Sequence, residues 1–165
     1  MRILIVSPEL PYPPAWGFAI RVSRVLALLS RNHTVSLLSY ARDGDDDKIR
    51  ALAATCHSVH TVREPADSSM AKRVGQLKSM LSSASYHGSY LFTDEMQRTL
   101  DVLTSKEQFD VIQVETSQMA TFRFDPRAAL AIVEHDIVYE LLGRMATSER
   151  SVLRRAYNSA EARKF

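Results

Sequence analysis

The chain reads as an α/β domain, doubly wound around one parallel sheet. Three observations predict it. Short apolar runs recur along the chain, and those at Ile3 to Val6, Val111-Ile112 and Ala131 to Val133 are continuous rather than alternating. Continuous runs mark strands covered on both faces, as in a parallel sheet between helices. Segments with apolar residues at helical spacing separate these runs. Finally, a long proline-rich loop follows the first run and ends in glycine just before a helical stretch. In such sheets ligands gather at the strand carboxyl ends, and a helix N-terminus there attracts anions.

Residues 2–7 form the first expected strand, and Pro8, Pro11, Pro13 and Pro14 stiffen the loop that leads to Gly17. Val22, Val25, Leu26 and Leu29 then share one helical face, and residues 34–39 return as a strand. An acidic turn enters a helix carrying Ile49, Leu52, Ala53 and Cys56, followed by a strand at 58–62. The next connection is long enough for two helices, with stripes at Met70, Val74, Leu77, Leu81 and at Phe92, Met96, Leu100, Leu103. The loop 82–90 between them, with Tyr86 and His87, reads equally as a lid or acceptor-binding loop and as a solvated connector. Strands are expected at 110–114 and 129–134. Asp136 is placed to cap a helix bearing Val138, Leu141, Leu142 and Met145. Thr147-Ser148 is placed to interrupt it and to cap a last helix with Val152, Leu153, Ala156, Tyr157 and Ala160. Right-handed crossovers predict the strand order 3-2-1-4-5. The order reverses between strands 1 and 4, so the 8–17 loop and Glu115 to Ser117 should flank a crevice there.

At 165 residues the chain accommodates one domain, spanning 1–165, with a real core. A net charge of +2, without a basic stripe interleaved with aromatics, argues against a nucleic-acid partner. Cys56 is the single cysteine, which removes any intrachain disulfide. The apolar run after Met1 is too short for a signal peptide or membrane span, so a cytoplasmic location is the default. Arg154, Arg155, Arg163 and Lys164 ride a last helix that reaches Phe165 with no stop signal, which reads as a chain that continues in a longer parent.

Neither nucleotide-binding glycine fingerprint fits a chain with five glycines. Gly17 is the one glycine at a strand-to-helix junction. It would let backbone N–H groups approach a diphosphate, or else simply relax a crowded turn; its place at the switch point favours the first. Asp45-Asp46-Asp47 spells a D-x-D, yet it sits in a polar turn with no apolar strand leading in. It reads as helix-start charge. A calcium loop from Asp43 fails at Ala54, where a bidentate Glu is needed. Cys56, His57 and His60 look like metal ligands, but the two histidines should point to opposite faces of a strand, so no metal is expected. Ser117 lacks a nucleophile-elbow context. His135 follows a strand carboxyl end. There it could donate to a phosphate or sugar oxygen, or could cap a helix or bond a backbone carbonyl. Glu115 could accept from sugar hydroxyls or pair with Arg21 or another cation. Both alternatives stay open.

Residues 1–21, with Pro-Tyr-Pro-Pro ahead of Gly17 and an early Arg21 in the helix, resemble the start of GT-B glycosyltransferases of the large family 4 type. The likeness is closest to bacterial polysaccharide and exopolysaccharide sugar transferases. Phe109 to Glu115 looks like the family's fourth strand, Val133 to Asp136 like its fifth-strand end, and 149–164 like its linker helix. Phe18 stands where the family has a second glycine. The resemblance implies a three-layered, Rossmann-like N-terminal half. A second domain, which in the family binds the nucleotide-sugar and carries a paired-glutamate signature, is not in this sequence. The implied reaction is retaining transfer from a nucleotide-diphosphate sugar to a saccharide or lipid-linked acceptor, with no obligatory metal. Gly17 and Phe18 would form the donor-phosphate loop, and His135 would face the donor sugar in an electrostatic role. Glu9, Glu115, Ser117, Tyr86 and His87 would lie on the acceptor side. Lys72, Arg73 and Lys78 could rest on the inner face of an anionic membrane or simply form a solvated helix face. The alternative is a non-catalytic α/β binding module or one half of a split transferase. A flavodoxin- or receiver-like domain fits less well, because Ser7-Pro8 offers no acidic phosphoacceptor pocket.

Overall fold

The computed structural model describes residues 1–65, 90–135, 140, 144, 147–148 and 151–162. Its elements are β1 (Arg2–Ser7), α1 (Gly17–Leu29), β2 (Thr34–Ala41), α2 (Asp46–Ala53), β3 (Ser58–Arg63), α3 (Asp94–Lys106), β4 (Val111–Glu115), a 3-10 turn (Ser117–Thr121), β5 (Ala129–Val133) and α4 (Val152–Ala162). The five strands pair in the order β3-β2-β1-β4-β5. Every pairing is parallel. The chain is therefore α/β with an all-parallel sheet flanked by helices, consistent with a Rossmann-like fold, and β1 and β4 meet at the reversal of strand order.

Alternation along the strands divides the core in two. Ile3, Ile5, Val35 and Leu37 face Val22 and Leu26 of α1 and Leu52 of α2. Leu4, Val6, Leu38 and Ile112 face Met96 and Leu100 of α3, with Met119 and Phe122 beyond them. Each such side chain contributes roughly 1.5–3 kcal/mol on burial, which is why the runs are apolar at both parities. Local chemistry sets the helix ends. Thr93 caps α3, its Oγ1 accepting from the Met96 N–H at 3.1 Å. The acidic turn starts α2 as expected, with Asp46 and Asp47 in its first turn. Asp45 turns back to accept from the Arg42 N–H and pairs with Lys48. These contacts, Lys48 foremost, hold its carboxyl below the usual range.

Three expectations need correction or lie out of view. The last strand is not covered on both faces: Leu130 is 49% and Ile132 52% exposed. β5 is the sheet edge, and the cluster that packs beneath α3 stops at β4. Thr147 and Ser148 do not cap the last helix. They are helical themselves and donate to the Arg144 carbonyl. Ser151 is not helical, and its carbonyl accepts from the Arg155 N–H. The expected helix at 70–81 with its basic stripe, the 82–89 part of the loop with Tyr86 and His87, and the Asp136 cap lie outside the described residues. Cys56 is buried and has its thiol pushed up to about 11 by that burial, as suits a core residue rather than a ligand. Among the described residues, no helix is long and apolar enough to cross a membrane.

Candidate functional site

At the β1/β4 switch point the chain builds one connected polar cluster. β4 presents Val111, Gln113 and Glu115 on the face toward α1, because alternate residues share a face. Glu115 ends the strand with its side chain fully buried. A bare carboxylate there would be costly, so it must be satisfied internally. Its Oε1 accepts from Gln113 Nε2 at 2.5 Å. Its Oε2 lies 2.6 Å from His135 Nε2 and 3.6 Å from Arg21 Nη1. Register explains the first meeting: Glu115 pairs with Val133, and His135 follows two residues later on the neighbouring strand's end. Arg21 reaches in from the second turn of α1, with its side chain 48% exposed.

Within the described residues His135 bonds a carboxylate and no backbone carbonyl. Its Nε2–H donates to Glu115, which leaves Nδ1 without a hydrogen-bond partner among the described residues. Phe18 packs on the ring, with centroids 4.6 Å apart and planes tilted by 54°. The imidazole is thus held on two sides, and its side chain keeps 14% exposure. Glu115 pairs within the chain, with His135 at 2.6 Å and Arg21 at 3.6 Å.

Gly17 opens α1 beside this cluster. No side chain caps the helix, because Trp16 at the N-cap position cannot accept from the first turn. The first N–H groups are left for solvent or ligand. A Cβ added at Gly17 would meet nothing within 4 Å, so crowding does not call for glycine there. Nor does Gly17 adopt a left-handed conformation. The crowded-turn explanation falls, and space above the helix end remains.

Thr116, between Glu115 and the 3-10 turn, has φ +81°, rare for a β-branched residue. Its N–H donates to the Val133 carbonyl at 2.7 Å and its Oγ1 accepts from the Gln118 N–H. Such strain is of order 1–3 kcal/mol and gathers at working sites. Ser117 sits on the same rim, its N–H donating to Glu134 Oε2 at 2.9 Å. Glu9 belongs elsewhere: its Oε1 accepts from Trp16 Nε1–H, across the proline loop and toward β2.

The structure thus brings Gly17, Phe18, Arg21, Glu115, Ser117 and His135 to one rim and adds Gln113. The signal for Gln113 was present, since a polar residue two before Glu115 must share its face. Thr116 carried none. Comparison with protein-family profiles, curated proteins and solved structures found no match to the chain.

Proposed function

We propose that this chain is the three-layered, acceptor-side N-terminal half of a retaining GT-B glycosyltransferase, similar to family 4. It would move a sugar from a nucleotide-diphosphate sugar to a saccharide or lipid-linked acceptor at the inner face of a bacterial membrane. The observation that carries the reading is the grouping of His135 and Arg21 around the buried Glu115, beside an uncapped helix start at the switch point.

The roles follow from charge. Departure of the sugar leaves negative charge on the diphosphate, and preorganised donors aimed at that charge lower the barrier. The open N–H groups from Gly17 onward and the Arg21 guanidinium are the donors this chain offers. Phe18 and Glu115 fix the His135 ring beside them, so that His135 meets the sugar rather than solvent. Glu115 also keeps Arg21 near the crevice without quenching it, because the guanidinium has further N–H groups to give. The base and ribose of the donor would rest on a second domain carrying the family's paired glutamates.

The test is to assay nucleotide-sugar turnover by this chain alone and by the same chain joined to a donor-binding domain. Turnover only by the joined form supports the division of labour. Robust transfer by the 165 residues alone would refute it. Nucleotide binding with no turnover in either form would favour a non-catalytic module.

A further inference from the structure

The cluster at the β1/β4 switch point sets one buried carboxylate between two bases. Arg21 is charged at any working pH. Its Nη1 lies 3.6 Å from Glu115 Oε2 and 3.5 Å from His135 Nε2. It therefore opposes a second positive charge on the ring, since like charges in contact disfavour each other. Glu134, the next carboxylate on this rim, is exposed and accepts from the Ser117 N–H instead.

A neutral imidazole carries one proton, on Nδ1 or on Nε2, and an ionised carboxylate only accepts. Glu115 Oε2, 2.6 Å from His135 Nε2, therefore holds the proton on Nε2. The opposite tautomer would set two lone pairs against each other at a buried oxygen, which is costly. The carboxylate cannot turn away to relieve that clash. Its side chain is fully buried, and Gln113 Nε2–H grips the other oxygen at 2.5 Å. Nor is the ring free to turn, because Phe18 packs on it with centroids 4.6 Å apart.

The same bond decides what His135 offers a ligand. With the proton on Nε2, Nδ1 carries a lone pair and has no partner among the described residues. It accepts a hydrogen bond and gives none. An oxygen of a fully ionised phosphate also only accepts, so the two repel, whereas a hydroxyl fits. Donors for an anion lie on α1 instead, in the open N–H groups from Gly17 onward and in the Arg21 guanidinium. The crevice is thus divided between an anion side at the helix start and a hydroxyl point at the ring.

We infer that Glu115 is a positioning residue that fixes the Nε2–H tautomer of His135, so that Nδ1 meets the ligand as an acceptor from a hydroxyl and not as a donor to phosphate. The tautomer stands on geometry alone. That the hydroxyl belongs to a donor sugar rests on the sugar-transfer reading.

The test is long-range ¹H–¹⁵N correlation NMR of the histidine rings at about pH 8, above the ordinary histidine range. Wild type should show His135 with a protonated Nε2 and a bare Nδ1. Glu115→Gln should reverse the pattern, because the amide turns its NH₂ to Nε2. Gln113→Leu loosens the same cluster but keeps the carboxylate, and should leave the wild-type pattern. Inorganic pyrophosphate supplies the ligand readout. It should bind wild type without moving the His135 ring nitrogens. It should bind Glu115→Gln about tenfold tighter and shift the new Nδ1–H. A bare Nε2 or an imidazolium in wild type, an unreversed ring in Glu115→Gln, or the same scrambled ring in both variants overturns the inference. So does pyrophosphate that moves Nδ1 of wild type, or binds both forms equally. Pyrophosphate that binds neither form counts against the donor reading, while the ring signals still decide the tautomer.

Discussion

Glu115→Gln tests the cluster with least change of shape. The wild-type carboxylate accepts from Gln113 and His135 at 2.5 and 2.6 Å, with its side chain fully buried. Hydrogen bonds to a buried charge are each worth about 1.5–3 kcal/mol. The amide keeps one acceptor oxygen for Gln113 and turns its NH₂ to His135, whose proton must move to the unpartnered Nδ1, so both bonds to a charge become weaker neutral ones. Arg21 adds less, since its half-exposed guanidinium lies at 3.6 Å and is screened by water, which holds its share to about 0–1 kcal/mol. Against this, glutamine avoids the desolvation of a buried charge. The balance is a loss of about 1–2 kcal/mol, a fall in Tm of roughly 2–8 °C for a chain of this size. Urea denaturation followed by circular dichroism reads it. A cycle with His135→Gln should give a coupling above about 1 kcal/mol. A Glu115→Gln protein within about 0.5 kcal/mol of wild type, or strictly additive changes, would refute the reasoning.

Other outcomes follow from the same structure. Gly17→Leu should leave stability within about 0.5 kcal/mol, since a Cβ there meets nothing. It should also cut pyrophosphate affinity about tenfold in a titration; equal affinity would show that the helix end is not used. Thr116→Gly removes strain of about 1–3 kcal/mol, one hydrogen bond of about 1 kcal/mol and about 0.5–1 kcal/mol of unfolded-chain restriction, so the variant should melt close to wild type. A clear drop in Tm would deny the strain. Burial lowers the His60 pKa, so folding favours its neutral form. The folded chain binds that proton less readily than the unfolded one, and stability falls as the pH drops below 6.5. Wild type should therefore lose Tm more steeply than His60→Gln from about pH 6.5 to 5, and parallel curves would contradict the assignment.

The sheet was legible because its determinants are local. Continuous runs at Ile3 to Val6 and at Val111-Ile112 announce strands buried on both faces, and the helical stripes between them leave few topologies. β5 shows the limit of that logic. Ala131 to Val133 is equally apolar, but a run reports what a strand could bury, not whether an element arrives to cover it. Strand ends differed by one or two residues, as at Ala41 and Arg63, where backbone pairing continues past the apolar residues. At the site, position was legible and partnership was not. The loop, Gly17 and His135 follow from chain order, whereas the Glu115–His135 bond depends on the β4/β5 register. The Arg42–Glu64 pair was hidden for the same reason: the two are distant in sequence and meet through strand pairing. The positive φ of Thr116 is imposed by its surroundings, and a threonine gives no sign of it.

In the proposed function, the crevice between the start of α1 and the β4–β5 rim receives the diphosphate of a nucleotide-sugar. A ¹⁵N NMR titration with uridine, guanosine and adenosine diphosphates and their sugar conjugates tests it most directly. Saturable shifts are expected at Gly17, Phe18, Ala19 and the His135 ring for at least one of these, weakened by Arg21→Ala. Perturbation absent from those positions, or unchanged by Arg21→Ala, would contradict it.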